Sequence, residues 1–261
     1  MSIESFPSIN YNTVNSLSSV NQTIASGKVI NSSADNPALQ AIIADLSKQI
    51  GSQDVAIQNA NMGINLIQTA DGAADGITEQ LQQLNELSIQ ASNGTYNDAQ
   101  RSMFNEQFQQ GLETINQIAG STQFNGINLL DGSTPNINIA LDGTGSGINL
   151  TDLTSGGLGL AGLDLTNSAN IGLAQDGIAN ALLGISNAQG QFGAEQNGLS
   201  STINNISTQT FNETAARSQM SDTNYAQAIT EQLRLQVLNQ AGLSMQAQSN
   251  MDQSNVLKLL S

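Results

Sequence analysis

The chain contains no cysteine, no histidine and no tryptophan. Without cysteine there can be no disulfide, no thiolate metal site and no cysteine nucleophile. Without histidine the commonest general base near neutral pH is missing as well. Aromatic residues make up 3% of the chain, where a compact globular core would normally hold more large rings. Positive charge is scarce: 6 basic residues stand against 21 acidic ones, for a formal net charge of -15. None of the basic residues falls between Arg101 and Arg217. Nucleic acids and anionic membranes are recognised by clustered Lys and Arg, so neither is an expected partner. No segment approaches the roughly 18 apolar residues that read as a membrane span, and no membrane insertion is expected. The opening Met-Ser-Ile-Glu-Ser-Phe lacks the basic and apolar regions of a cleaved secretory signal, so any export is expected to use another route.

What the chain does have is a ladder. Ile171, Ile178, Ile185, Phe192, Leu199 and Ile206 recur at every seventh position. A second ladder, Ile43, Ile50, Ile57 and Ile64, lies upstream of a Gly-rich middle. A seven-residue repeat places a narrow apolar seam along one side of a long helix, and such a seam requires a partner helix. The two ladders are expected to pair as the chain folds back on itself. The fold expected is mainly α: a long antiparallel coiled-coil or helical-bundle rod with a small β-hairpin region and terminal helical arms. The ten ladder residues are its candidate rod-core packing positions.

Residues 1–35 read as a polar arm, with weak helical spacing at Val14, Leu17 and Ile24 interrupted by Asn21 and Lys28. Asn36-Pro37 is a helix start, since Asn caps and Pro at the first helical position gives up no hydrogen bond. This helix is expected to run to about residue 93, stopping at a left-handed Asn93-Gly94. Past Ile64 its seam continues through Ile67 and Ala70, and the two successive steps of three suggest a local overwinding. Gly63, Gly72 and Gly76 inside it suggest either close approach of a neighbouring backbone or a simple local weakness of the helix. Asn97 to Gln100 resembles a capping box and opens a helix over 98–119 carrying Met103, Phe104, Phe108, Leu112, Ile115 and Ile118. Residues 121–168, rich in Gly, Thr, Asn and Asp, read as β-hairpins, and a third long helix covers 170–215. In the last 45 residues Leu233, Leu235, Val237, Leu238, Leu243 and Met245 point around the whole helix circumference. A helix apolar on all sides must be buried on all sides, and further copies of the chain are the simplest supplier. Both arms, 1–35 and 216–261, are expected to order only on association, outside a rod domain spanning 36–215.

The motifs that could carry chemistry have simpler readings. Asp142-Gly143-Thr144-Gly145-Ser146-Gly147 lacks the glycine spacing and Lys of a phosphate loop, and reads as a hairpin turn. Asp71 and Asp75 lie one helical turn apart on what reads as a solvated acidic face. The sequons at Asn31 and Asn93 read as chance products of an Asn/Ser-rich chain. No catalytic, cofactor-binding or metal-ligating residues are expected.

Several phrases resemble bacterial flagellins: Ser26 to Asp35, Gln58 to Ala73, Leu87 to Thr95, Thr122 to Leu130, Ala216 to Ala226, and the leucine-rich Val256 to Leu260. They are ordered and span nearly the whole chain. The first arm is short for that family, and Val29 stands where it usually has Arg. Ser26-Gly27-Lys28 and Asp35-Asn36-Pro37 also resemble the related hook–filament junction protein, whereas Arg217 to Ala226 resembles flagellin. The family's outer variable domains are absent.

The resemblance implies a structural subunit that self-assembles into the bacterial flagellar filament for swimming motility, its arms pairing in the filament core. The alternatives are a hook–filament junction (hook-associated) protein, or an enzyme housed in the hairpin region. The resemblance also implies an extracellular protein, exported unfolded through the flagellar secretion channel. Its implied partners are copies of itself, an export chaperone on the C-terminal arm, the filament cap and hook-junction proteins, and the innate immune receptor for flagellin. The receptor-facing surface carries over to Gln82, Gln83, Leu87, Gln90 and Glu106. Gln83 stands where receptor-activating members have Arg, which implies weak recognition.

Overall fold

The computed structural model describes residues 5–141 and 143–260, without the side chains of 5–10, Thr144, Gln253 and 256–260. Met1 to Glu4 of the first arm, Asp142 of the Gly-rich turn and the side chains of the leucine-rich close lie outside the described residues. The order of elements is α1 (Ser5–Ser26), α2 (Pro37–Ala91), α3 (Asp98–Ser121), β1 (Gln123–Phe124), β2 (Ile127–Asn128), β3 (Asn136–Leu141), β4 (Thr144–Asn149), α4 (Ser168–Ser221) and α5 (Tyr225–Leu260). The mainly helical fold expected from the ladders is what the chain adopts. Two compact units divide it: Met1–Ile50 with Phe211–Ser261, and Gly51–Thr210.

In the second unit α2 and α4 run antiparallel. The Thr210 hydroxyl donates to Gln53 Oε1 at 2.7 Å, and the Gln189 amide donates to Asp75 Oδ1 at 2.7 Å. Between them, a Cβ placed on Gly63 would lie 3.1 Å from Leu199 Cδ1. The α4 ladder is buried at all six positions, with Ala174, Ala181 and Ala188 filling the intervening steps. The α2 side is different. Its buried row is Gln53, Ala56, Ala60, Gly63, Ile67, Ala70, Ala74, Ile77, Leu81, Leu84, Ser88 and Ala91. Those steps alternate three and four without a break. The expected overwinding arose from following Ile57 and Ile64, which stand one residue, about 100°, round the helix from Ala56 and Gly63. Both are half-buried flanking residues, as is Ile43, while Ile50 is buried.

Gly63 is squeezed by side chains from α4 and from β3 and β4, whereas Gly72 has nothing within 4 Å. The close neighbours of Gly63 are therefore Leu199, Ile139 and Ile148 side chains, not a backbone. The tight approach falls instead on α3, where a Cβ on Gly111 would sit 2.5 Å from Leu84 Cδ2. Phe108, Leu112, Ile115 and Ala119 complete the buried face of α3. Its capping box is formed in full: Gln100 N donates to Asn97 Oδ1 at 2.9 Å, and Asn97 N to Gln100 Oε1 at 3.0 Å.

Helix α2 stops at Ala91 without a left-handed residue at Asn93 or Gly94. The Asn93 side chain instead accepts from the amide and hydroxyl of Thr95. The same device recurs where Asp131 receives Ser133, Asp152 receives Thr154 and Asp164 receives Thr166. Each is a side-chain-closed turn, the use for which Asx residues are favoured in loops. Hairpins occupy only part of the Gly-rich middle. Asn125 and Gly126, both with positive φ, join β1 to β2, as a tight hairpin turn demands. Strands β3 and β4 pair from Asn136↔Asn149 to Leu141↔Thr144. Residues 150–167 form turns, with Leu150, Leu153, Leu160 and Leu165 buried. One polar face of α3 holds them down. Asn116 accepts from Ser155 N, Asn105 accepts from Leu165 N, and Gln109 donates to Leu163 O.

Candidate assembly surfaces

The first unit is built around a backbone stitch. Gly27, with φ +71°, ends α1 and returns its amide to Thr23 O at 3.0 Å. Its carbonyl then accepts from Thr223 N at 3.0 Å, while Val29 N donates to Ser221 O at 2.8 Å. Lys28 and Asp222 thereby form an antiparallel bridge where α4 gives way to α5. The positive φ at Gly27 favours glycine, and a Cβ there would also lie a tight 3.2 Å from the Tyr225 hydroxyl. Asn224 caps α5 through Gln227 N. Above the stitch, α1 and α5 run side by side, and Gln232 Nε2 donates to Asn21 Oδ1 at 2.7 Å. Asn21 does not interrupt α1 as expected; it sits inside the helix and joins it to α5. A groove of about 250 Å³ lies beside this contact, lined by Val20, Thr23, Val29, Gln227, Ala228 and Glu231 among others. Hydrogen bonding and charge from Arg234 hold the Glu231 carboxyl below its ordinary range.

Pairing with α1 covers one side of α5. Of the six residues singled out on this arm, Leu235 is buried at 6% exposure. Leu233, Val237, Leu238, Leu243 and Met245 are exposed, between 47% and 66%. Both arms are helical in the structure, and α1 supplies one apolar wall for α5. Ile229 and Met251 on α5, and Tyr11 and Val14 on α1, are exposed too.

The other predicted surface lies on the second unit. Gln82, Gln83 and Gln90 are exposed on α2, Leu87 is half-buried, and Glu106 is exposed on α3. Gln83, Leu87 and Gln90 share a face at steps of four and three. Leu84 packs near Gly111 and Gly76 near Ile118, so α3 runs antiparallel to α2 and brings Glu106 alongside that face. Met103 on α3 adds exposed apolar area. Among the described residues no cluster of His, Cys, Asp or Glu could hold a metal ion, and no helix is long and apolar enough to cross a membrane.

The family model of the bacterial flagellin N-terminal helical region matches residues 5–134, and that of the C-terminal helical region matches 175–260. A flagellin of Halalkalibacterium halodurans is 37% identical over 245 residues, covering 92% of this chain and 90% of that protein. The crystal structure of Bacillus cereus flagellin superposes with a TM-score of 0.51 at 28% identity, covering 61% of this chain and 94% of the other. A structure assigned to the flagellar hook-associated class, from Vibrio parahaemolyticus, gives a TM-score of 0.62 at 13% identity, covering 72% and 100%. That second likeness speaks for the shared fold alone, so sequence decides between the two classes and favours flagellin over the hook-associated alternative. The chain belongs to the bacterial flagellin family, as a short form without outer variable domains, and is a structural subunit of the flagellar filament.

Proposed function

We propose that α1 and α5 are the polymerisation arms of this subunit, and that residues 36–215 form the rod domain outside them. The observation that carries this is the exposure of Leu233, Val237, Leu238, Leu243 and Met245 on a helix already paired along one side. Each large apolar side chain withdrawn from water contributes about 1.5–3 kcal/mol before ordering costs. Five of them per arm, repeated along a filament, supply the drive for association that one chain cannot satisfy. The buried row of α2 and the ladder of α4 keep the rod in register while the arms pack. The role is mechanical and involves no catalysis. A chain ending at Gln232 tests it, since it should keep the second unit and lose polymerisation.

Family membership supports the finer readings. The subunit is exported unfolded through the flagellar secretion channel, with a chaperone shielding the apolar C-terminal arm. Once outside, it meets the hook-junction and cap proteins at the two ends of the growing filament. The face of Gln83, Leu87, Gln90 and Glu106 is the surface open to the innate receptor. Recognition there is weak, because Gln83 offers hydrogen bonding but neither the charge nor the stacking area of Arg.

A further inference from the structure

With no cysteine in the chain, methionine is its only sulfur. Each of the five described methionines is exposed, from Met220 at 36% to Met103 at 64%. Two of them, Met245 and Met251, lie on α5 at 59% and 58%. Helical geometry sets them in line with the other uncovered apolar residues. Met245 follows Leu238 by seven residues, and Met251 follows Leu233 by eighteen, which is five full turns. Both sulfurs are thus open to solvent in the subunit, on the lines of α5 that carry the exposed Leu233 and Leu238.

We propose that Met245 and Met251 are an oxidation-sensitive lock on polymerisation, set by peroxide-class oxidants. The inference rests on the reading of α5 as a polymerisation arm. Hydrogen peroxide transfers one oxygen to the thioether: the O–O bond breaks, an S–O bond forms, sulfur gives up two electrons and the peroxide leaves as water. The product is a polar, chiral sulfoxide where an apolar, adaptable side chain stood. Burying it between subunits without a hydrogen-bond donor is costly, enough for about a tenfold rise in the critical concentration for polymerisation. The change is reversible, because methionine sulfoxide reductases remove the oxygen.

The test is to treat soluble full-length subunit with hydrogen peroxide, map the added oxygens by peptide mass spectrometry, and measure the critical concentration. Met245→Leu/Met251→Leu is carried alongside. Both sulfurs should be oxidised in the wild type. Its critical concentration should rise about tenfold and recover after treatment with the two stereospecific reductases. The double variant, still oxidised at Met62, Met103 and Met220, should show the same critical concentration before and after peroxide, whatever its starting value. Polymerisation of oxidised wild type at its original concentration would overturn the proposal, and so would an equal loss in the double variant. A chain ending at Gln232 separates this from the reading beneath it. If truncation blocks filaments and oxidation does not, the lock fails and the arm stands; if the truncated chain forms filaments, the arm itself is refuted.

Discussion

The hydroxyl of Thr210 lies 2.7 Å from Gln53 Oε1 and 2.9 Å from Ile206 O, placing a polar pair in the seam between α2 and α4. Gln53 is 2% exposed, at a position where the heptad calls for an apolar residue. Single polar residues in such seams fix register at a cost in stability. Gln53→Leu leaves the Thr210 hydroxyl its bond to Ile206 O, and the melting temperature should stay level or rise. Gln53→Ala leaves a hole and should cost about 1–3 kcal/mol. Thermal unfolding followed by circular dichroism ranks the two, and a Leu variant less stable than the Ala variant would contradict this account.

The α4 ladder should dominate the stability of the second unit. Ile185 is 1% exposed and Leu183, on the same helix, is 65% exposed. Ile185→Ala should cost about 2–5 kcal/mol and Leu183→Ala well under 1 kcal/mol. Ile57→Ala, at a half-buried flank, should fall between them. Denaturant titration of the three variants gives the order, and equal midpoints for all would show that the register is wrong.

That ranking reflects what the sequence made visible. The α4 seam is written in Ile, Phe and Leu at every seventh place, so its period stands out. On α2 the buried row passes through Ala56, Ala60 and Gly63, whose small side chains carry little hydrophobic signal. The eye follows Ile57 and Ile64 one position on. The 150–167 segment misled for another reason: Gly and Asp mark turns, but the partners that hold these turns, Asn105, Gln109 and Asn116, sit on α3. Only the fold brings them together. Asn97 to Gln100 was legible because both halves of a capping box lie within four residues. The apolar circumference of α5 was legible too, but the wall that α1 supplies through Asn21 and Gln232 is not a local property of either helix.

Acid should weaken the side-chain-closed turns. Asp131 is held below its ordinary value of 3.8 chiefly by the Ser133 hydroxyl, and Asp164 by the Thr166 hydroxyl and then the Asn170 amide. A carboxylate with a lowered folded-state value stabilises the fold above the ordinary value, and that contribution is lost as pH falls through the lower one. Both groups are well solvated, so the effect is modest. Asp131→Asn/Asp164→Asn should melt a few degrees below wild type near pH 7. The gap should close toward pH 2. A gap that stays constant across this range would remove the carboxylates from the explanation.

For the innate receptor, Gln83→Arg should strengthen activation. An anchoring Arg at an interface commonly contributes 2 kcal/mol or more, roughly thirtyfold in affinity. A cell reporter assay on soluble subunit compares wild type with the variant. Strong wild-type activation, or no gain from Arg, would refute the proposed surface.

The most direct measurement of the central claim is electron microscopy of the full chain and of a chain ending at Gln232, each incubated under polymerising conditions. The full chain should form filaments. The truncated chain should form none, while its circular dichroism retains the α2–α4 helices and their cooperative melting. Filaments assembled from the truncated chain would contradict the assignment of α5 as the polymerisation arm.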